Sequence, residues 1–281
     1  MVTSCELSQI SCRHRDFPLQ LVSSLHQFGF AVVIDHPLNL ERVQHIYHQW
    51  RAFFIDGRGH AFATDTVEQD GYFSVGSAEH AKGHSQRDFK EYFQFYPWGR
   101  CPEALRDDLR AYFDDAVALG VSFLTHVAEH LPDEVNARLS EPLECMIAGS
   151  KRSMLRVTHY PPLQKNSRLP RAAPHEDINL LTLLPAADGP GLELRLPSGE
   201  WIEVPQKPEQ LIVNVGDMMQ EATAGFLPSA THRVGAPAAN QQCQSRMSLP
   251  LFLHPRPEVI LSQRYTAADY LAQRLCELGV A

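Results

Sequence analysis

His175, Asp177 and His232 are of the residue types that ligate a divalent metal ion, and their spacing lets them do so together. The first two stand two apart in Pro174-His175-Glu176-Asp177. If that stretch is extended, both side chains project to one side, because the strand period is two. His232 follows in Thr231-His232-Arg233-Val234, at the start of another short apolar run. Two imidazoles and one carboxylate cover one face of an octahedron and leave the opposite face open. That donor set suits a non-haem ferrous ion that must also take O2 and a co-substrate. A closed four-ligand zinc site would have no open position. Taken alone, a His-x-Asp tripeptide fits a surface turn as well as a metal site.

A second pair raises the weight of the first. Arg246 and Ser248 are also two apart on a predicted strand. An arginine there can grip a carboxylate through two parallel charge-assisted hydrogen bonds, and the serine hydroxyl can add a third. A surface salt bridge is the plainer reading of Arg246, but it fits poorly with the apolar run Met247, Leu249, Leu251 and Phe252 that continues from it. Other histidines make weaker cases. His45 and His48 share one helical face, as do His126 and His130, yet neither pair has a carboxylate in a metal motif, and they are read as surface histidines. Asn214 and Asp217 flank Gly216 in what reads as a structural turn. Tyr72, Phe89, Tyr92 and Phe93 read mainly as core aromatics.

The elements that must position these residues fall into two regimes. The first half is helical in pattern: Pro18 to Phe28, a helix capped by Asn39 and running to Phe54, a long helix opened by Pro102, and a further one over Glu134 to Ala148. Strand-like Phe30 to Ile34 and Gly71 to Phe73 interrupt it, and Gly57 to Arg87 otherwise reads as loop. After Lys151 come short alternating segments: Met154–Tyr160, Ile178–Leu184, Leu192–Leu196, Trp201–Val204, Leu211–Val215 and Ser245–Leu253. Short strands at regular spacing predict a β-sandwich or barrel rather than a parallel sheet. A helix over Thr266–Leu278 follows.

Composition sets the outer bounds. The 281 residues carry a formal charge of −8 with 44% apolar and 21% charged side chains, ordinary for a globular protein. No basic cluster offers a footprint for nucleic acid, and no apolar run approaches the roughly 20 residues that span a bilayer. Residues 1–6 show no signal-peptide pattern. Cys5, Cys12, Cys101, Cys145, Cys243 and Cys276 lie far apart and read as free thiols of a reducing compartment, so a cytoplasmic location is expected. The oligomeric state is not legible.

Leu155-Arg156-Val157-Thr158-His159-Tyr160-Pro161-Pro162, His175-Glu176-Asp177-Ile178-Asn179-Leu180, Val213-Asn214-Val215-Gly216-Asp217, Thr231-His232-Arg233-Val234 and Ser245-Arg246-Met247-Ser248 resemble the isopenicillin N synthase-like family of 2-oxoglutarate- and Fe(II)-dependent oxygenases. Phe28-Gly29-Phe30, Phe53-Phe54, Gly71-Tyr72 and Asp88-Phe89-Lys90-Glu91-Tyr92-Phe93 resemble that family's N-terminal region. The resemblance implies an α+β fold built on a double-stranded β-helix, a cupin-like jelly roll, with flanking helices at both ends. It implies an N-terminal helical region over 1–150 packed on the core, a jelly-roll core over 151–257 and a C-terminal helix over 258–281. It also implies Fe(II) on His175, Asp177 and His232, and 2-oxoglutarate held by Arg246, Ser248 and Tyr160. The sequence departs from the family pattern at Thr158, where an asparagine is usual, at Glu176, where plant members commonly have Thr or Ser, and across Asp56 to Asp70.

The activity implied is a dioxygenase that oxidises, by default hydroxylates, a C–H bond of a small organic substrate with release of succinate and CO2. Two alternatives remain open at this point: an Fe(II) oxidase of the same family that does not use 2-oxoglutarate, and an inactive jelly-roll binding protein. Neither nucleic acid nor membrane is expected as a partner.

Overall fold

Strands whose two faces are both covered must be apolar on both, and several strands of this chain are. In the computed structural model, which describes residues 7–64, 69–76, 88–163, 170–237 and 243–277, thirteen strands and seven α-helices are seen. In chain order the first half holds β1 (Gln9–Ser11), α1 (Phe17–Phe28), β2 (Phe30–Ile34), α2 (Leu40–Ile55), β3 (Gly71–Phe73), β4 (Glu91–Phe95) and α3 (Glu103–His130). Two short helices follow, α4 (Asp133–Asn136) and α5 (Leu143–Met146). The second half holds β5 (Met154–Tyr160), β6 (Ala172–His175), β7 (Leu181–Pro185), β8 (Leu192–Arg195), β9 (Trp201–Glu203) and β10 (Leu211–Val215). It ends with α6 (Asp217–Ala222), β11 (His232–Val234), β12 (Arg246–Ser248), β13 (Leu251–Leu253) and α7 (Ala267–Glu277).

The strands form two sheets. The major sheet runs β1-β2-β10-β7-β13-β5-β4-β3, with β12 also pairing β5, and the minor sheet runs β6-β11-β8-β9. Alternation along each strand decides what its two faces meet. Ala31 and Val33 of β2, Leu211 and Val213 of β10, and Leu155 and Val157 of β5 face a large core shared with Leu21, Trp50 and Phe123 of the helices. Phe30, Val32 and Ile212, one residue out of step, face the gap between sheets and pack on Leu192 and Leu194 of β8. Each such buried side chain contributes roughly 1.5–3 kcal/mol. The gap-facing set turns polar near one end of the sandwich, where Arg156, Thr158 and Tyr160 of β5 line a cleft with Asn214.

The expected double-stranded β-helix with flanking helices is what the chain adopts. The first 150 residues contribute four strands to the major sheet as well as helices, with β2 lying between β1 and β10. The helix expected over Glu134 to Ala148 is instead the pair α4 and α5, because Pro142 removes a backbone donor and starts a new turn. The strand expected over Ser245 to Leu253 splits into β12 and β13 at Leu249-Pro250, and the one expected from Ile178 begins at Leu181. Asn39 caps α2 as expected, its Oδ1 accepting from Arg42 N at 3.0 Å. Cys5 and residues 65–68 and 77–87 of the expected loop lie outside the described residues, as does Leu278.

Candidate metal centre

Antiparallel pairing of β6 and β11 sets His175 directly opposite His232, and directly opposed residues share a face. Their ring centroids are 4.4 Å apart. Asp177 lies beyond the end of β6 rather than on it, yet its Oδ1 comes within 4.0 Å of His175 Nε2 and 3.8 Å of His232 Nε2. One ligand atom from each of the three falls within 4.8 Å of the others. Among the described residues no other trio of His, Cys, Asp or Glu converges in this way. His45 pairs instead with Asp108 at 3.4 Å, and His130 Nδ1 bonds to the His126 carbonyl at 2.9 Å.

Each of the three side chains is braced from behind. His175 Nδ1 donates to Ala173 O at 2.8 Å and His232 Nδ1 to Ala230 O at 3.1 Å. A carbonyl can only accept, so both rings carry their proton on Nδ1 and turn the Nε2 lone pair towards the centre. Asp177 Oδ2 accepts from Thr182 Oγ1 at 2.6 Å and Asn214 Nδ2 at 2.7 Å, which leaves Oδ1 facing the imidazoles. Asn179 Nδ2 bonds to Thr182 Oγ1 at 2.9 Å and directs that hydroxyl's proton to Asp177. Gly216 permits this packing: a Cβ there would stand 2.0 Å from Asn179 Oδ1.

Protonation follows from these surroundings. Withdrawal from water, helped by His232 alongside, pulls His175 down to about 4, although 35% of its side chain still opens onto the cleft. It is therefore neutral at neutral pH. Burial works against the Asp177 charge, but the two imidazoles and the bonds from Thr182 and Asn214 outweigh it and hold the carboxyl below the usual carboxylate range. The neutral His175 ring, the His232 ring with Nε2 turned inward and an ionised carboxylate fit a divalent transition-metal ion, Fe(II) included.

Arg246 lines the same cleft and is 1% exposed. Its Nε donates to Gly189 O at 3.0 Å and its Nη2 reaches Gln206 Oε1 at 3.3 Å, while Nη1 is buried with no partner among the described residues. A buried guanidinium with an unused donor is costly unless an anion completes it. Strand register puts Arg246 opposite Tyr160 and Ser248 opposite Thr158. The guanidinium carbon stands 5.1 Å from the Tyr160 ring centroid.

The comparisons with known proteins agree with this geometry. The family model of the 2OG-Fe(II) oxygenase superfamily matches residues 151–255. The crystal structure of a candidate oxygenase from Shewanella oneidensis is 43% identical with a TM-score of 0.89, covering 98% of this chain and 100% of that one. The chain belongs to the 2OG-Fe(II) oxygenase superfamily. As a member of it, the protein is an oxidoreductase of the dioxygenase class that uses Fe(II), 2-oxoglutarate and O2. Feruloyl CoA ortho-hydroxylase 2 of Arabidopsis thaliana is 24% identical over 245 residues, 84% of this chain and 65% of that protein. A full-length Neurospora crassa protein, solved in complex with alpha-KG, shares the fold at a TM-score of 0.79 and 19% identity, covering 95% of each chain. The chain spans about two thirds of the length of the curated relatives it matches first. Among the described residues no helix is long and apolar enough to cross a membrane.

In this oxygenase several residues around the triad escape a reading of the sequence. Asn214 reads there as part of a turn, but it is on β10 and holds Asp177. Thr182, its register partner on β7, does the same. Phe30 packs edge-on against His232 with centroids 5.3 Å apart. The signal that could have found the two polar residues is that each stands alone inside a strongly apolar strand.

Proposed function

We propose that the protein oxidises, by default hydroxylates, a C–H bond of a small organic substrate, with His175, Asp177 and His232 as the ligands of Fe(II). When bound, Fe(II) with O2 supplies the oxidising power, and 2-oxoglutarate leaves as succinate and CO2. Arg246, Ser248 and Tyr160 would hold the distal carboxylate of 2-oxoglutarate, which fixes the orientation of the co-substrate at the metal. Asn214 and Thr182 keep the Asp177 carboxylate turned so that one oxygen ligates, and the Ala173 and Ala230 carbonyls hold both rings in the ligating tautomer. The jelly-roll core over 151–257 would carry all of these groups. The free state of Cys12, Cys101, Cys145, Cys243 and Cys276 supports a reducing, cytoplasmic setting.

The observation that carries the reading is convergence: three braced ligand atoms within 4.8 Å, and an incompletely bonded buried arginine lining the same cleft. The test is conversion of 2-oxoglutarate to succinate under Fe(II) and O2. The wild type and His45→Ala, a surface variant, are expected to turn over, and His175→Ala is expected not to. Equal turnover by both variants would refute the assignment.

A further inference from the structure

Arg246 and Ser248 reach the cleft only because Met247, between them, does not. The Met247 side chain is buried in the core shared with the helices, while Arg246 and Ser248 line the cleft on the other face of β12. A slip of one residue would exchange the two faces and put a thioether where the guanidinium belongs. A strand as short as β12 specifies its register weakly, and among the described residues it pairs with β5 alone. In an antiparallel pair the N–H and C=O of one residue point to the same side, and the side alternates along the strand. Those of Met247 point away from β5, to an edge where no further strand pairs among the described residues.

Asp188, in the turn after β7, takes the place of that strand. Its Oδ1 accepts from Met247 N at 2.7 Å, and its own N–H donates to Met247 O at 3.3 Å. One residue thus satisfies both main-chain groups that the edge leaves over. The next residue of the turn serves the side chain, since Gly189 O accepts from Arg246 Nε at 3.0 Å. The turn is itself fixed from α2. Tyr47 Oη donates to Ala186 O at 3.1 Å. Arg51 donates from Nη2 to Asp188 Oδ2, and from Nε to Ser245 Oγ at 3.1 Å, one residue before Arg246. The Arg51 and Asp188 side chains are 31% and 17% exposed, so their ion pair is screened less than one in open solvent.

We propose that Asp188, locked by Arg51, is the positioning residue of the co-substrate arginine: it holds β12 in register and so aims Arg246 and Ser248 at the distal carboxylate of 2-oxoglutarate. The inference rests on the reading of Arg246 as that carboxylate's partner. Asp188 does not line the cleft, so its effect passes through β12. Helix α2 thereby takes part in co-substrate binding, through Arg51.

The test is anaerobic titration of the Fe(II)-loaded protein with two probes, read by calorimetry. The probes are 2-oxoglutarate and 2-oxobutyrate, the same keto acid with hydrogen in place of the distal carboxylate. Asp188→Ala is expected to raise the Kd of 2-oxoglutarate about tenfold, the worth of one charge-assisted hydrogen bond, and to leave that of 2-oxobutyrate within about twofold. Asp188→Asn keeps an acceptor for Met247 N but loses the ion pair with Arg51, so the rise should be several-fold. Arg51→Gln should match it, and these two variants carry the test should the alanine one fail to fold. In an Arg246→Gln background no guanidinium is left to aim, and Asp188→Ala is expected to add at most about twofold. A wild type that takes up no 2-oxoglutarate sinks the proposed function. Uptake by the wild type followed by an unchanged Kd in Asp188→Ala, equal weakening of both keto acids, or a tenfold loss that persists in the Arg246→Gln background overturns this inference alone.

Discussion

The two polar clusters of the cleft are finished to different degrees. At the triad, the atoms behind the ligands are satisfied: both Nδ1 protons go to carbonyls, and Asp177 Oδ2 receives two hydrogen bonds. At Arg246 a more deeply buried cation keeps a donor, Nη1, with no partner among the described residues. The first cluster is rigid before anything binds, and only its inward lone pairs are unused. The second is complete only with an anion present. A centre that must hold a resident ion tightly and a consumable co-substrate reversibly would be built in this unequal way.

The difference can be broken most strongly at the arginine. Loss of two charge-assisted hydrogen bonds costs about 3 kcal/mol, so Arg246→Gln is expected to raise the KM for 2-oxoglutarate about a hundredfold while Fe(II) affinity stays within a few-fold. Arg246→Met removes a buried charge that has no ion-pair partner among the described residues. It should leave the metal-free protein as stable as the wild type or raise its thermal midpoint by a few degrees. A fall of several degrees would mean that Arg246 serves packing.

The triad offers the converse. Asn214→Ala or Thr182→Val frees the Asp177 carboxylate to rotate, and Fe(II) affinity measured anaerobically should drop about 10- to 100-fold. The KM for 2-oxoglutarate, measured at saturating metal, should change much less. If both quantities moved together, the two clusters would not be separate devices.

The smallest effect belongs to an imidazole that lies outside both clusters. Burial pulls His254 from 6.5 down to about 4, and its Nδ1 has no hydrogen-bond partner among the described residues. Above pH 6.5 the ring is neutral in folded and unfolded chains alike and does not affect stability. Between pH 6.5 and about 4 the unfolded chain binds a proton that the folded chain does not, so stability falls as the pH drops through that window. Thermal midpoints of metal-free wild type and His254→Phe, taken at pH 7 and pH 5, should show the larger acid drop in the wild type.

Much of the site was legible because strand periodicity converts a two-residue spacing into a shared face, as for Arg246 and Ser248. The short alternating segments after Lys151 pointed to a β-sandwich or barrel, and the jelly roll followed from the resemblance to the oxygenase family. The support of Asp177 was not. It depends on the register that sets Asn214 opposite Thr182, 32 positions apart in sequence by the numbering, and nothing local specifies that pairing. The insertion of β2 between β1 and β10 is likewise a long-range choice. The break between α4 and α5 was a missed local signal, since Pro142 was visible in the sequence.

The account depends most directly on Asp177 and the two histidines meeting one Fe(II) beside an Arg246-held diacid. Anaerobic titration of the metal-free protein with Fe(II), in the presence of 2-oxoglutarate, should produce a visible charge-transfer band that saturates at one iron per chain in the wild type. The band should be absent in Asp177→Ala, and in Arg246→Gln it should require far more 2-oxoglutarate. A band of full intensity in Asp177→Ala, or none in the wild type, would contradict the account.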